Sequence, residues 1–382
     1  MTNSHLTILF SGMIAGDPHQ GGATWAVLQY LLGLQALGHD IYFVEPLKLD
    51  KLAAVALEQS ENAAYFQHVT NTFGLHECAA LLLAGTQTTC GLSYEKLRAI
   101  AQRADMLINV SGMLKDENLV AHIPVRVFLD LDPAFNQLWH AVEHIDMGFE
   151  RHTHFVSVGL ALGEPACTIP TCDLPWLKTL QPVVLSHWPR AEQLAPRAFT
   201  TIANWRGYGS IEHEGKFYGQ KAHSLRQFIT LPTRTEAQFT LALSIHPDEK
   251  KDLSALQENG WRLLDPRQVA ATPESYQRFI QSSWAELGIA KSGYVVSRCG
   301  WFSDRSVCYL ASGRPVLAQN TGFDSYLPTG KGLLTFTAFE EALASIDLLQ
   351  SDYTAHARAA RAIAEEYFES KRVLNRLLSA LH

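Results

Sequence analysis

The stretch Leu6-Thr7-Ile8-Leu9-Phe10-Ser11-Gly12-Met13-Ile14-Ala15-Gly16-Asp17-Pro18-His19-Gln20-Gly21-Gly22-Ala23-Thr24 decides the fold. Leu6 to Phe10 reads as a buried strand, Ile14 to Gly22 as a glycine-rich turn, about Ala23 to Leu37 as a helix, and Asp40 to Val44 as the next strand. Near-continuous apolar strands alternating with amphipathic helices mark a parallel sheet covered on both faces. Glycines in the first turn let backbone approach a ligand closely, and the N–H groups of the helix start favour a negatively charged group. The loop lacks the GxGxxG dinucleotide fingerprint, although Glu45 after Val44 comes close to the customary acidic position. A purely structural turn is the competing reading.

Outward from this unit the alternation continues. Ala79 to Ala84, Met106 to Val110, Val125 to Leu129, Phe155 to Val158 and Pro182 to Leu185 are strand candidates, with a helix at Tyr94 to Gln102. Trp188-Pro189-Arg190 and Pro196 then suggest an exposed crossover. The pattern restarts with strands expected at Phe199 to Ala203, Phe239 to Ser244, Trp261 to Leu264, Tyr294 to Ser297, Val316 to Ala318 and Leu333 to Phe336. Helices are expected at Lys221 to Phe228, Lys250 to Gln257, Pro273 to Ser283, Ser306 to Ala311 and Phe339 to Leu349, and Tyr353 to Leu381 is strongly helical. The spacing predicts α/β architecture in two Rossmann-like doubly wound domains facing across a cleft, residues 1–188 and 189–362. A C-terminal helix of about 363–382 returns to the first domain.

The length of 382 residues fits two domains, and 47% hydrophobic with 18% charged residues is an ordinary globular balance. A net charge of -7 gives no global basic field for nucleic acid. Six scattered cysteines without CxxC spacing signal neither zinc nor a disulfide framework, and fit reduced thiols in cytoplasm. No apolar run approaches the roughly 20 residues that cross a bilayer. His140, His144, His152 and His154 cluster in sequence without completing a metal-ligand set.

A second loop, Arg298-Cys299-Gly300-Trp301-Phe302-Ser303-Asp304-Arg305-Ser306, is expected to join the strand Tyr294 to Ser297 to a helix near Ser306. Such a loop points backbone donors over a strand's carboxyl end, where open α/β sheets bind ligands. Arg298 and Arg305 are suited to phosphate oxygens. Asp304 reads equally as a helix cap, and Trp301 as core. Asn320-Thr321-Gly322-Phe323-Asp324 follows as another polar loop.

Val295 to Leu327, centred on Ala311-Ser312-Gly313-Arg314-Pro315-Val316-Leu317-Ala318, resembles the donor-binding half of GT-B glycosyltransferases. The Gly21-Gly22 loop and the last helix suit the same class. The resemblance implies a transferase that needs no metal or further cofactor and takes a nucleotide diphosphate sugar as co-substrate. Its acceptor would be a small molecule or glycan rather than nucleic acid. It carries donor contacts onto Gly21, Gly22, Arg206, Lys221, Arg298, Gly300, Trp301, Phe302, Ser303, Asp304, Arg305, Ser306 and Asp324. Retaining relatives commonly place two glutamates eight positions apart where this chain has Gly300 and Cys308. Inversion is therefore slightly favoured, with His19 as base and Asp17, Asp130 or Asp132 orienting it. An epimerase of the same fold and a silent nucleotide-sugar binding protein remain as alternatives.

Overall fold

The computed structural model describes residues 5–53, 55–192 and 197–381, so Pro196 of the expected crossover and the final residue of the expected last helix lie outside the described residues. The first half carries β1 (Thr7–Ser11), β2 (Asp40–Leu47), β3 (Ala79–Leu83), β4 (Thr89–Gly91), β5 (Met106–Val110), β6 (Val125–Asp130), β7 (His154–Ser157) and β8 (Trp176–Lys178). Its helices are α1 (Gly21–Ala36), α2 (Glu61–Thr72), α3 (Tyr94–Ala101), α4 (Glu117–Val120) and α5 (Phe135–Ala141). The strands form one sheet in the order β4-β3-β2-β1-β5-β6-β7-β8, parallel except for β4. Ile8, Leu9 and Phe10 are all fully buried, as a strand covered on both faces requires.

The second half repeats the design. It holds β9 (Ala198–Asn204), the hairpin β10 (Ile211–His213) and β11 (Lys216–Tyr218), β12 (Gln238–Ser244), β13 (Arg262–Leu264), β14 (Ala285–Gly288), β15 (Val316–Gln319) and β16 (Leu333–Phe336). Helices α6 (Lys221–Leu225), α7 (Lys250–Glu258), α8 (Pro266–Val269), α9 (Pro273–Gln281), α10 (Ser292–Ser297), α11 (Asp304–Ala311) and α12 (Phe339–Ser351) accompany them. The order β13-β12-β9-β14-β15-β16 is all parallel. Strand order reverses between β1 and β5 and between β9 and β14, and such reversals open a crevice at the strands' carboxyl ends.

One expected strand is a helix. Tyr294 to Ser297 lies in α10, while the fourth strand of this sheet is Ala285–Gly288. Its buried Glu286 interrupts the apolar run that would have marked it, whereas Tyr-Val-Val imitates one. Pro182 to Leu185 is likewise no strand: Val183 makes a single bridge to Glu369.

That bridge pins the tail. After α13 (Tyr353–Ile363) a π-helical segment, Ala364–Phe368, turns into α14 (Ser370–Ala380). Val183 N–H donates to Phe368 O at 2.7 Å and Ser370 N–H to Val183 O at 2.9 Å. The tail thereby passes from α11 to α1, as expected. Gly33 of α1 permits the approach, since a Cβ there would lie 2.6 Å from Leu374 Cδ1.

Candidate functional site

The crevice between β9 and β14 collects the cations of the second half. Trp205, fully buried, donates from Nε1 to Asp252 Oδ2 at 3.0 Å and fixes the loop after β9. Arg206 leaves that loop partly exposed and pairs with Glu249. Lys221 opens α6, is 8% exposed, and donates from Nζ to the backbone oxygen of Ile289. Burial, together with repulsion from Arg305 and Lys291 and against the pull of Glu286, pushes its amine well below the ordinary lysine range. Arg305 donates from Nε to the fully buried Glu286 at 2.6 Å and from Nη1 to Ile202 O at 3.1 Å. Two cations thus share one carboxylate, and Lys221 has only a carbonyl.

The carboxyl edge of β6 faces this crevice. Asp130 is fully buried and accepts from Asn136 Nδ2 (2.6 Å), Gln137 Nε2 (2.8 Å), Ser157 Oγ (2.7 Å) and Asp132 N–H (3.0 Å). Burial pushes its carboxyl up to about 6 against those donors. Asp132 reaches across to the second half, accepting from Lys291 Nζ at 3.0 Å, from Tyr208 OH at 2.5 Å and from Tyr294 OH. Lys291 also lies 4.3 Å from the Tyr208 ring centre and 5.0 Å from that of Phe135. Burial and then Asp132 hold both tyrosines protonated, far above the usual phenol range. Lys291 carries no mark in the sequence, because Asp132 and Tyr208, which give it meaning, lie in two distant segments.

The loop from β1 to α1 has a different use from the one its glycines suggest. Its N–H groups already hold a carboxyl group: Glu45 accepts from Ile14 and Ala15 at 2.9 Å and from Gly16 at 2.5 Å. Burial pushes Glu45 up to about 7, against those three donors. The protonated form is therefore favoured on folding. This contribution is complete below about pH 4.5, the ordinary range, and is lost as pH rises through about 7. Replacing Glu45 by Gln is expected to flatten the fall in unfolding free energy across that window, relative to wild type, by about 2–4 kcal/mol; denaturant titrations at a series of pH values measure it.

Gly21 and Gly22 are packing positions between the halves. Gly21 N–H donates to Ala270 O at 3.1 Å, and a Cβ on Gly21 would stand 2.3 Å from Thr272 O. A Cβ on Gly22 would meet the Tyr276 ring at 2.8 Å. Gly21→Ala is expected to cost about 1–3 kcal/mol of stability, because a well-packed backbone must shift to admit the methyl; thermal unfolding reads it.

His19 stands in the left-handed region at φ 64°, uncommon for a residue with a side chain. Its Nε2 lies 2.8 Å from Glu61 Oε1, and its ring sits edge-on to Tyr65 at 5.2 Å. Tyr65 OH donates to Ala271 O, so His19 occupies the rim where the first half meets the α8–α9 connection. The expected aspartates do not orient it. Asp17 pairs with Lys51 at 2.5 Å, Asp132 is engaged across the cleft, and Asp130 is enclosed by its own donors. Glu61 takes that place.

The α10–α11 loop is packed as much as it is poised. Arg298 (φ 52°) and Asp324 are exposed and make no side-chain hydrogen bond or ion pair among the described residues. Gly300 (φ 74°) donates to Thr321 O at 2.8 Å, and a Cβ there would lie 2.7 Å from Ala161 N. Trp301 packs on Tyr294 at 4.4 Å and Phe302 on Phe323 and Phe368, and both also line the small cavity beside α11. Ser303 caps α11 by position, without a side-chain bond to its backbone, and Ser306 is buried. Asp304 turns toward Trp25, Tyr30 and Gln181, and burial raises its carboxyl despite Arg305. On the other side, Ser303, Arg305 and Ser306 line a cavity of about 10 Å³ with Gly288, Ala290 and Gln319. That is space for about one water. The amino end of α11 thus opens onto the carboxyl edge of β14 and β15.

No protein-family model matches the sequence, and no curated protein does. Solved structures align along the whole chain. An alpha-glucosyltransferase in complex with UDP and a 13-mer DNA shares 12% identity, with 99% of each chain covered and a TM-score of 0.62. The chain has the GT-B fold. The same fold unites it with the pneumococcal O-GlcNAc transferase GtfA, in complex with UDP and GlcNAc, at 10% identity, 99% coverage of each chain and TM-score 0.59. Anabaena HepE, in complex with UDP and glucose, shares 12% identity with 99% coverage of each chain and TM-score 0.58. Among the described residues of this GT-B chain no helix is long and apolar enough to cross a membrane. All six cysteines are free thiols, and His152 is committed to Asn109 and Gly148 O.

Proposed function

We propose that this GT-B chain is a cytoplasmic glycosyltransferase that moves a sugar from a nucleotide diphosphate sugar, held mainly on the second half, to an acceptor on the first. One observation carries the reading: Lys221, buried at the strand-order reversal, has no carboxylate of its own. A buried amine is costly. A diphosphate beside it would supply the missing charge, and Arg305 and the amino end of α11 stand next to it. As the sugar–phosphate bond breaks, negative charge grows on the departing nucleotide, and preorganised cations stabilise it there. Structures of the same fold that hold UDP support the donor class. The net charge of -7 favours a small-molecule or glycan acceptor over DNA.

His19 serves as the base. With Glu61 accepting the Nε2 proton, Nδ1 is left to take a proton from the acceptor hydroxyl as it attacks opposite the leaving group. The step inverts the sugar carbon. No metal or further cofactor enters it.

Asp132 is a latch in this scheme. Its carboxylate occupies Lys291 in the closed arrangement, and the incoming diphosphate displaces it. Incubation with UDP-, GDP-, ADP- and dTDP-sugars, with release of nucleoside diphosphate as readout, tests the function; release that requires an added acceptor is expected with one donor, and conversion of the sugar without acceptor would mark an epimerase instead. In the same assay Asp132→Asn is expected to lower the donor KM about three- to tenfold, since a competing partly exposed ion pair contributes on the order of 1 kcal/mol.

A further inference from the structure

A larger cavity than the one at α11 lies outside the crevice described above. It holds about 470 Å³ and shares no residue with the pocket at α11. That volume falls within the range of small-molecule sites, about 300–1,000 Å³. Its walls come from four parts of the chain: Leu160 from the loop after β7, Leu177 and Leu180 at the end of β8, Tyr326 from the loop after β15, and the tail from Glu366 to Ala380.

The lining divides into an apolar floor and a cationic rim. Leu160, Val373 and Leu377 are at most 7% exposed and form the floor with Leu177 and Leu180. Arg372 and Arg376 stand one turn apart on α14 at the rim, both exposed. Neither side chain makes a hydrogen bond or ion pair among the described residues. The third cation, Lys178, is already held by Glu164 at 2.6 Å, and the acid that lines the cavity is Glu366. Two neighbouring guanidinium groups without an acid of their own suit a phosphate or carboxylate, which takes paired N–H donors. An apolar floor of this depth suits a hydrocarbon or aromatic body.

We propose that this cavity binds an amphiphilic organic anion, its apolar body on Leu160, Leu180 and Leu377 and its acidic group on Arg372 and Arg376. The site is independent of the transfer reaction. Because both halves and the tail form its walls, an occupant ties the tail to both halves.

Calorimetric titration of the full chain with octyl phosphate, inorganic phosphate and octyl glucoside tests the assignment. Octyl phosphate is expected to bind at least tenfold more tightly than either half-ligand, and the Arg372→Ala/Arg376→Ala double variant to lose at least tenfold of that affinity with its melting temperature unchanged. Leu377→Trp, which fills the floor, is expected to abolish binding while UDP-sugar turnover is retained. Equal binding of inorganic phosphate, equal binding by the double variant, or no binding of octyl phosphate would overturn the proposal. Sedimentation with phosphatidylcholine vesicles, with and without phosphatidic acid, distinguishes the source of the anion: co-sedimentation that requires phosphatidic acid and both arginines supports a lipid, and octyl phosphate binding without co-sedimentation supports a soluble amphiphile.

Discussion

Lys221→Met is expected to lower kcat about 10²- to 10³-fold while leaving the melting temperature unchanged or higher. The two effects have one origin. Lys221 is almost wholly buried and its amine is bound only to a carbonyl, so the folded chain without donor bears the cost of an amine held out of water, and burial favours its uncharged form. Methionine has nearly the same length and volume and no charge, so the fold is relieved of that cost. The transition state, in contrast, loses a fixed cation where charge develops on the leaving diphosphate, and removal of one such group typically costs about 10²–10³ in rate. A lysine kept for packing alone would behave differently, with stability and turnover moving together. Steady-state kinetics beside thermal unfolding separate the two cases.

His19→Ala is expected to lower kcat about 10²- to 10⁴-fold, the range spanned by a positioned general base, with little change in donor KM. The ring is partly exposed, so its loss costs little packing, and alanine also adopts the φ of 64° only with strain. The pH profile carries the sharper signature. A base active in its neutral form gives turnover that falls on the acid side, and that limb disappears in the variant. Glu61→Gln should keep the limb and lower kcat less than His19→Ala does, because it removes only the partner at 2.8 Å that holds the ring. Profiles of kcat against pH for the three proteins decide it; an acid limb that survives His19→Ala assigns the base elsewhere.

The alternation of apolar strands and helices was legible from Leu6 onward, because strands covered on both faces leave continuous apolar runs. Ala79 to Leu83 shows that plainly. The fourth strand of the second sheet was not, since Glu286 lies inside it for the sake of Arg305. Chemistry there overrides pattern. The site shows the same division. Lys221 and Arg305 could be singled out in sequence because each lies in a polar loop or first helical turn after an apolar run, although three strands separate them along the chain. Gly21 and Gly22 are misleading because a glycine that admits a phosphate and a glycine that admits another backbone look alike in sequence. Thr272, the backbone that Gly21 admits, lies far away in the chain. Lys291, Tyr208 and Asp132 become a unit only when the halves close, and Glu61 becomes the partner of His19 only when α2 packs beside the first loop.

A crystal structure of the chain with UDP tests the central claim most directly. The diphosphate is expected between Lys221 and the first turn of α11, within hydrogen-bond distance of the lysine Nζ, with Asp132 withdrawn from Lys291. A diphosphate bound instead at the Gly21-Gly22 loop, or Lys221 still bonded to Ile289 with the nucleotide elsewhere, would contradict it.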